Sequence, residues 1–537
     1  MFRTSCILIL VFASLIQVAF AQDVISVIPN PKQVRLQKGV LELHPGFFIS
    51  ANDDRLKPQI SYLQKAVFDL NGIYSAATEK AESSIYLVLK HAAPHKATEA
   101  YTVKINRTQV VIEASAAEGI FNGIQTLLQI IRSSSEKNKV ILPQVEIHDV
   151  PEYSWRGLML DESRHFFGME KVKSILDWMA LYKLNRFHWH LTDEPGWRLE
   201  IKKYPRLTLV GGIGSFTDPD TLANYYTQQQ IKEVVAYAAE RFITVIPEID
   251  MPGHGTAANR AYPEFSGGGS KDHPDFTFNP GYEKTYEYLA NILKETQILF
   301  PGQMIHLGGD EVSFGNEQWN KDPLISTLKS QFNLKTNLDV EKYFIKRMAD
   351  SVFAFNSKVI VWDEMVNAGL PKDKTIVFWW RHDKPQQLKE ALKSGYQTVL
   401  SPRLPLYFDF VQDSTHRFGR KWGNKFNDIL SVYKFAPNQY LEKGFSKSNI
   451  LGIQANLWTE TVHNNQRLDY LLFPRIAALA EAAWTDQKDR NEKQFLIRLQ
   501  PHLTWYQESG INYFNPFQPL QIKEPQGRSK AAPKYID

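Results

Sequence analysis

The chain has 537 residues, of which 43% are hydrophobic and 22% are charged. This composition is typical of a folded protein with enough apolar material for roughly two or three domains. The net charge is only +4 and no block of basic residues occurs, so the sequence gives no reason to expect a nucleic acid or an anionic membrane surface as a partner.

The N-terminus has the pattern of a secretory signal peptide. Arg3 precedes an apolar run from Ile7 to Phe20, and Ala19-Phe20-Ala21 offers a small-x-small cleavage site. The run is too short for a stable membrane span, and we expect residues 1–21 to be removed on export to the periplasm or the medium. The single cysteine, Cys6, lies in this segment, so the mature chain is expected to need no disulfide.

Residues 22–150 are predicted to form a small α+β domain. Short alternating runs at Ser84–Lys90, Ala100–Asn106 and Val110–Glu113 favour strands, and Ala116–Arg132 has apolar residues at helical spacing. This part of the chain has no cluster of residues suited to catalysis. We therefore interpret it as an accessory domain.

Residues 151–485 are predicted to form a (β/α)8 barrel, because apolar runs alternate with helical stretches. The eight runs are Gly157–Asp161, Arg186–Asp193, Phe242–Asp250, Met304–Glu311, Lys358–Glu364, Thr375–Trp380, Gln397–Pro402 and Gly452–Glu460. A doubly wound open sheet is the alternative, but no glycine-rich fingerprint follows the first run. Residues 486–537 are predicted to supply a helix, Glu492–Tyr506, and a tail packed on the barrel.

Polar or aromatic residues stand at the C-terminal end of nearly every run. In a barrel these ends converge on one face, where catalytic loops lie. The residues concerned are Asp161, Arg164, Asp193, Glu248, Asp250, Asp310, Glu311, Asp363, Glu364, Trp379, Trp380, Trp458 and Glu460. The pattern predicts a single site at this face.

The segment His306–Glu311, with sequence HLGGDE, is the sharpest feature of the fourth run. Two glycines allow a turn and a close approach of a ligand. If Asp310 and Glu311 are strand neighbours, their side chains point to opposite faces. Such a pair is poorly placed to act as the facing acid and nucleophile of an ordinary retaining glycosidase, which stand about 5 Å apart. Adjacent carboxylates suit a division of labour in which one protonates the leaving oxygen and the other holds a neighbouring group.

HLGGDE, followed by Val312, resembles the H-x-G-G-D-E signature of glycoside hydrolase family 20. Other segments resemble the pattern of that family in the same order: Gly119–Leu127, Trp155–Asp161 with Ser163–Phe166, His188–Asp193, Pro247–His254 and Leu457–Glu460. The resemblance covers roughly Val24 to Trp484. It implies an exo-acting β-N-acetylhexosaminidase that needs no metal or cofactor and acts on an amino-sugar oligosaccharide or glycoconjugate.

The resemblance also implies roles for individual residues. Glu311 would be the general acid and then the general base, and Asp310 would accept a hydrogen bond from the substrate acetamido N–H. Tyr407 would donate a hydrogen bond to the acetamido oxygen, which attacks the anomeric carbon to give an oxazoline. Family 20 is a substrate-assisted exception to the two-carboxylate rule.

The remaining site residues implied by the resemblance bind the sugar or support the catalytic residues. Trp362, Trp380 and Trp458 would box the acetamido methyl and stack on the ring, whereas Arg164, Asp409 and Glu460 would bind outer hydroxyls. Asp193 and His254 would support the acid/base residue. Of the neighbours Trp379 and Trp380, we choose Trp380 because Arg381 follows it as in the family. The stretches Ser266–Ser270 and Asp413–Asn449 do not map onto the pattern.

Three other functions compete with this interpretation. His188-x-His190 has the spacing of metal ligands in a barrel hydrolase, with His306 and Asp363 as further candidates, although a structural role for the imidazoles is favoured. A sugar-binding protein without catalysis is expected to lack Asp310 or Glu311. An ordinary two-carboxylate glycosidase would pair Glu311 with Glu248 or Glu364. The sequence does not distinguish GlcNAc from GalNAc or indicate an oligomeric state.

Overall fold

The computed structural model describes residues 25–76, 83–90, 98–136, 138–421, 425–441 and 447–527. The chain divides into two compact units, one formed by residues up to 150 with 490–504, the other by 151–489 with 505 onward. The predicted signal peptide, residues 1–21, lies outside the described residues. No helix in the described ranges is long and apolar enough to cross a membrane.

The first unit is built on one mixed sheet. Its strands are β1 (Gln33–Leu43), β2 (Phe47–Ala51), β3 (Ser75–Ala76), β4 (Ser84–Leu89), β5 (Tyr101–Ile105), β6 (Gln109–Ala114), β7 (Ser135–Glu136) and β8 (Lys139–Asp149). They are ordered β1-β8-β5-β6-β4-β2-β3, and β7 pairs with β8. Among the described residues, helices Lys57–Asn71 and Ala117–Ser134 and the first part of helix Glu492–Glu508 also belong to this unit. The predicted small α+β domain is confirmed.

The helix Ala117–Ser134 packs on this sheet through its apolar stripe. Ile120, Ile124, Leu127 and Ile131 are fully buried, at the three- and four-residue spacing that places them on one helix face. A Cβ added at Gly123 would lie 2.5 Å from Ile112 Cγ2, so the missing side chain lets the helix approach β6 closely.

The described residues of the second unit form ten strands. They are β9 (Trp155–Asp161), β10 (Arg186–His190), β11 (Thr244–Glu248), β12 (Ser266–Gly268), β13 (Thr277–Phe278), β14 (Met304–His306), β15 (Lys358–Trp362), β16 (Thr375–Trp379), β17 (Gln397–Leu400) and β18 (Ile450–Leu457). Eight of them close a parallel barrel in the order β9-β10-β11-β14-β15-β16-β17-β18. Strands β12 and β13 form a separate antiparallel pair. The predicted (β/α)8 barrel is confirmed, and the open sheet is wrong.

Helices follow most barrel strands and cover them. In the described part of the second unit they are Met169–Leu181, Arg206–Leu209, Gln228–Ala239, Thr256–Ala261, Glu283–Leu299, Pro323–Phe332, Asn337–Phe353, Pro385–Lys393, Arg403–Leu406, Ile429–Lys434, Asn465–Leu472, Arg475–Trp484 and the end of Glu492–Glu508. Sequence signals mark several of their starts. Thr227 and Gln230, for example, form a reciprocal capping box at the start of Gln228–Ala239, which satisfies amide donors that the first turn leaves unpaired.

The barrel strands are shorter than the apolar runs predicted, and this changes one inference. Strand β14 ends at His306, and Gly308, Gly309 and Glu311 have φ values of 67°, 86° and 53°. The left-handed backbone takes Asp310 and Glu311 out of the strand and into a loop. Strand alternation therefore does not determine where the two carboxylates point, and that part of the sequence argument is wrong.

The C-terminal helix Glu492–Glu508 also differs from the expectation. Residues 490–504 belong to the first unit, where Arg498 Nη1 donates to Asn30 Oδ1 at 3.2 Å and His502 Nε2 lies 3.1 Å from Ser26 O. Only the end of the helix belongs to the barrel unit, where the Tyr506 and Tyr182 hydroxyls are 2.5 Å apart. The tail from 486 is thus not wholly part of the barrel, because its polar side chains find partners in the first unit.

Candidate active site

A cavity of about 630 Å³ lies where the C-terminal ends of the barrel strands meet. Nine of the predicted site residues line it: Arg164, His254, Asp310, Glu311, Trp362, Trp380, Tyr407, Trp458 and Glu460. They end or follow different strands around the barrel, which is how this fold brings distant residues together. The volume is within the range of small-molecule sites.

Asp310 and Glu311 lie beside the imidazole of His254. His254 Nε2 is 3.8 Å from Asp310 Oδ2 and 3.6 Å from Glu311 Oε2. Asp310 is only 8% exposed. A side chain at Gly308 is impossible because an added Cβ would lie 1.7 Å from Asp250 Oδ1, so this glycine allows the loop to pack against Asp250.

Asp193 and Arg164 hold the His254 imidazole through its other ring nitrogen. His254 Nδ1 is 3.1 Å from Asp193 Oδ1, and the other oxygen of Asp193 is 2.7 Å from Arg164 Nη1. Burial disfavours the charged form of His254, but the Asp193 carboxylate overcomes this and holds the pKa of His254 well above its usual value. A cationic imidazole therefore faces the two site carboxyls. Asp193 itself does not line the cavity and acts through His254 and Arg164.

Asp310 holds a proton at neutral pH in the ligand-free site. Burial raises the pKa of Asp310 to about 8; the cationic His254 opposes this rise and the nearby Glu311 charge adds to it. Two close carboxyls in a desolvated site resist simultaneous ionisation and titrate as a unit. The ligand-free site can thus supply a proton.

Aromatic side chains form the wall around this pair. Trp362 Nε1 donates to Glu248 Oε1 at 2.9 Å and Trp380 Nε1 donates to Glu364 Oε2 at 3.0 Å. The rings of Trp380 and Tyr407 are nearly parallel, 9° apart, with centroids separated by 6.3 Å. The indoles are held by directed hydrogen bonds as well as by packing, which fixes the shape of the aromatic box.

Trp380, rather than Trp379, belongs to this wall. Trp379 is fully buried, packs on Tyr440 with a centroid separation of 4.8 Å, and donates to Lys384 O. Trp380 lines the cavity, and Arg403 Cζ lies 4.9 Å from its ring centroid. Arg403 also pairs with Asp383 at 2.6 Å and was not singled out from the sequence.

The polar part of the cavity differs from the expectation at one position. Asp409 is 1% exposed and does not line the cavity. Arg420 lines it instead, with Nε 3.7 Å from Asp409 Oδ2 and Nη2 3.6 Å from Glu460 Oε1. Direct contact between Asp409 and a substrate hydroxyl therefore stays a prediction. Arg420 comes from the stretch that did not map onto the family, and no local motif marks it.

The cavity mouth beside Glu311 also contains residues that sequence analysis did not assign. Glu194, Asp272, His273 and Phe314 line it. Phe314 follows the acidic pair by three residues, so its proximity was a usable signal. His273 lies beyond the glycine-rich stretch and needs the fold to bring it near Glu194.

The histidines proposed as metal ligands surround one buried carboxylate. Glu248 is 0% exposed; its Oε2 lies 2.9 Å from His188 Nε2 and 2.5 Å from His190 Nδ1, and its Oε1 lies 3.0 Å from His306 Nδ1. Atoms of His188, Glu248 and His306 are close enough together to hold an ion, and the same carboxylate is also hydrogen-bonded by Trp362 Nε1 and His190 Nδ1.

The same contacts bear on the two-carboxylate alternative. Glu248 and Glu364 each accept a hydrogen bond from an indole of the wall, and neither lines the cavity. Neither is therefore placed to face Glu311 across a sugar. Asp363, the other candidate ligand, accepts from Arg381 Nε at 2.9 Å.

Two buried arginines fix the loops that carry site residues. Arg475 donates to the carbonyl oxygens of Phe408 and Phe410, which flank Asp409. Arg198 donates to the carbonyl oxygens of Glu162 and Ser163, directly before Arg164, at 3.1 and 2.8 Å. Both arginines are almost fully buried. Five donors in a rigid fork let one guanidinium hold several carbonyls.

We expect Arg475→Lys to lower kcat/KM by about tenfold, because a lysine cannot pair all these buried carbonyls and each unpaired one costs about 1–3 kcal/mol. The loss should appear mainly in KM and in weaker inhibition by free GlcNAc. The matched control is Arg156→Lys. Arg156 is equally buried. It lies at the N-terminal end of β9 and donates to the carbonyls of Lys183 and Tyr153.

Equal losses of kcat/KM in the Arg475 and Arg156 variants, in proportion to their losses of thermal stability, would contradict a positioning role for Arg475. A selective rise of KM in the Arg475 variant at similar melting temperature supports it.

Comparisons with known proteins agree with the fold. Residues 153–487 match the profile of the glycosyl hydrolase family 20 catalytic domain, and residues 24–150 match family 20 domain 2. A β-hexosaminidase from Porphyromonas gingivalis is 33% identical over 508 residues, covering 92% of this chain and 64% of the relative. This chain thus spans less than two thirds of that relative.

Two further matches cover most of this chain and most of the matched protein. A β-hexosaminidase from Akkermansia muciniphila is 32% identical over 440 residues, covering 79% of this chain and 87% of the relative. The crystal structure of a GH20 exo-β-N-acetylglucosaminidase from Vibrio harveyi, in complex with N-acetylglucosamine, superposes with a TM-score of 0.84 at 29% identity. It covers 92% of this chain and 79% of that one. The chain therefore belongs to glycosyl hydrolase family 20.

Proposed function

We propose that the protein is a β-N-acetylhexosaminidase that removes terminal, non-reducing β-linked GlcNAc or GalNAc by a retaining, substrate-assisted mechanism. The observation that carries this proposal is the placement of its carboxylates. Asp310 and Glu311 lie together at one side of the cavity, whereas Glu248 and Glu364 are engaged by the indoles of the wall. The nucleophile is then supplied by the substrate.

The steps follow from these positions. Glu311 donates a proton to the glycosidic oxygen as the bond to the anomeric carbon breaks. The acetamido oxygen, oriented by hydrogen bonds from its N–H to Asp310 and from Tyr407 to the oxygen, forms the new bond to that carbon. Glu311 then removes a proton from water, which opens the oxazoline ring and returns the β-configuration. The cationic His254 stabilises the carboxylate of Glu311 after each donation.

The cavity favours a terminal sugar. Arg164 and Glu460 are each 8% exposed and present charged groups to the hydroxyls of a single ring, and Arg420 adds a further donor. Relatives described as β-hexosaminidases and the N-acetylglucosamine held by the Vibrio harveyi structure support this assignment. The predicted signal peptide leads us to propose that the substrate is met outside the cytoplasm, as an oligosaccharide or glycoconjugate.

The deciding experiment compares a chromogenic β-GlcNAc glycoside with the matched β-glucoside. Only the acetamido sugar is expected to turn over, because glucose has a hydroxyl where the internal nucleophile is needed. The two substrates share leaving group and ring, so the difference reports the acetamido group. Comparable kcat/KM values on both would refute substrate assistance and require a protein nucleophile. Absence of turnover on both would favour a binding protein.

A further inference from the structure

Four residues that line the cavity near Glu311 have no role in the proposed reaction steps. They are Phe314, His273, Glu194 and Asp272. Phe314 follows Glu311 in a short turn in which its amide donates to Glu311 O at 2.9 Å, yet its side chain is 40% exposed. An exposed aromatic ring that lines the cavity next to the acid/base residue offers a surface on which a ligand can pack.

This cluster is separate from the tryptophan wall. The His273 ring contacts Phe314 and Phe276, with centroid separations of 5.7 and 5.3 Å. Trp362, Trp380 and Trp458 make their cavity-side ring contacts with one another and with Tyr407. The Phe314 cluster therefore adjoins Glu311 through Phe314 and has ring contacts distinct from those of the tryptophan wall.

The cluster is held rigidly. Phe276 is fully buried against His254, with ring centroids 4.7 Å apart, and its carbonyl accepts from Gly255 N at 2.8 Å. His273 Nδ1 lies 3.1 Å from the Glu194 carboxylate, and the Glu194 amide donates to Asp193 Oδ1 at 2.6 Å. The segment between β12 and β13 is therefore a fixed part of the site rather than a loop that must reorganise to bind.

We propose that Phe314, His273, Glu194 and Asp272 form the subsite for the leaving group and that this subsite binds a neutral sugar ring. The inference rests on the proposed function, because Glu311 must protonate the oxygen that joins the two sugars. The group attached to that oxygen has to lie against whatever adjoins Glu311 away from the tryptophans. Phe314 offers a surface for the C–H face of a sugar, and the polar side chains offer partners for its hydroxyls.

The charges of the cluster select against an acidic leaving group. Glu194, Asp272 and Glu311 are carboxylates; His273 lies beside Glu194, and His254 lies 3.6 Å from Glu311. The hydrogen bond with Glu194 raises the pKa of His273, so the two together are close to neutral. A uronic acid would then meet the uncompensated Asp272 charge, whereas a neutral hexose or N-acetylhexosamine would not.

The first test uses Phe314→Ala with two substrates, the disaccharide GlcNAc-β-1,4-glucose and the β-fluoride of GlcNAc, whose leaving group is a single atom. The expected loss of kcat/KM on the disaccharide is about tenfold, the scale of a lost ring stacking contact, and exceeds any loss on the fluoride. Phe332→Ala is the matched control, because Phe332 is 44% exposed and does not line the cavity.

Equal losses on the disaccharide and the fluoride would overturn the subsite, since Phe314 would then act only through Glu311. Unchanged rates on both would overturn it as well. Failure of the wild type to hydrolyse the fluoride would instead refute the proposed function itself, so the two failures are distinguishable.

The second test concerns charge. The wild type is expected to hydrolyse GlcNAc-β-1,4-glucose at least about threefold faster than GlcNAc-β-1,4-glucuronic acid, as one exposed charge at close range allows. Asp272→Asn should narrow this ratio, and the ratio should shrink with added salt. Equal wild-type rates on the two disaccharides, or an unchanged ratio in the variant, would overturn the selection for a neutral leaving group.

Discussion

Replacing Glu311 by glutamine is expected to lower kcat on an alkyl β-N-acetylglucosaminide by about 10²–10⁴-fold, the usual contribution of a general acid. The amide cannot give a proton to a poor leaving group. It also cannot take one from water in the second step. Because the Glu311→Gln variant retains the size of the side chain and its place beside His254, KM for the alkyl glycoside should change far less than kcat.

Leaving groups of different acidity separate the two duties of Glu311. With a dinitrophenyl glycoside the leaving oxygen needs no proton, so the first step of the variant should recover and the oxazoline should accumulate. Glu317→Gln is the matched control, since Glu317 is exposed, follows Glu311 by six residues and does not line the cavity. An equal loss of kcat/KM, which reports the step in which the leaving group departs, on alkyl and dinitrophenyl substrates would remove Glu311 from the acid role.

The barrel was predictable because its signals are local and repeated. Each strand is buried on both faces and therefore has a continuous apolar run, as in β9, where every residue is buried. The order of runs and helices then leaves few topologies. What periodicity could not supply is where each strand ends, because residues such as Gly308 continue the apolar run while their backbone leaves the extended region.

The aromatic wall and the acidic pair were also predictable, since they follow strands that the pattern had already located. Arg420 and His273 were not, because each reaches the cavity from a connection whose path depends on tertiary contacts. Asp409 shows the converse case, a predicted ligand contact that stays untested. Its sequence position suggests a ligand contact, but the backbone held by Arg475 leaves it buried, and burial raises its pKa to about 8.

The buried acidic pair also predicts a pH dependence. The pKa of Asp310 is raised to about 8, so the free enzyme holds a shared proton below that pH and loses it above. The profile of kcat/KM reports the free enzyme, and the reaction needs one proton on the pair. We therefore expect kcat/KM for a β-GlcNAc glycoside to fall as the pH rises through about 8.

Asp310→Asn should change both the rate and this profile. Without the carboxylate, the acetamido group is neither oriented nor stabilised as it becomes cationic, and kcat is expected to fall by about 10²–10³-fold, the scale of losing one preorganised electrostatic partner. Removing the neighbouring negative charge also makes the remaining proton easier to lose, so the basic limb should move to lower pH.

A wider series of substrates makes the role of Asp310 specific. Fluorination of the acetamido methyl weakens its oxygen as a nucleophile, so wild-type kcat should fall with each fluorine added. The Asp310→Asn variant should keep this dependence if orientation alone is lost, and should steepen it if the variant also loses stabilisation of the developing cation. Asp310 lines the cavity while remaining largely shielded from solvent. When the shared proton is on Glu311, the Asp310 carboxylate is therefore weakly screened at the reacting group, and we expect the steeper slope. If the wild-type kcat does not change with fluorination, the acetamido oxygen is not the nucleophile, and this conclusion holds for any role of Asp310.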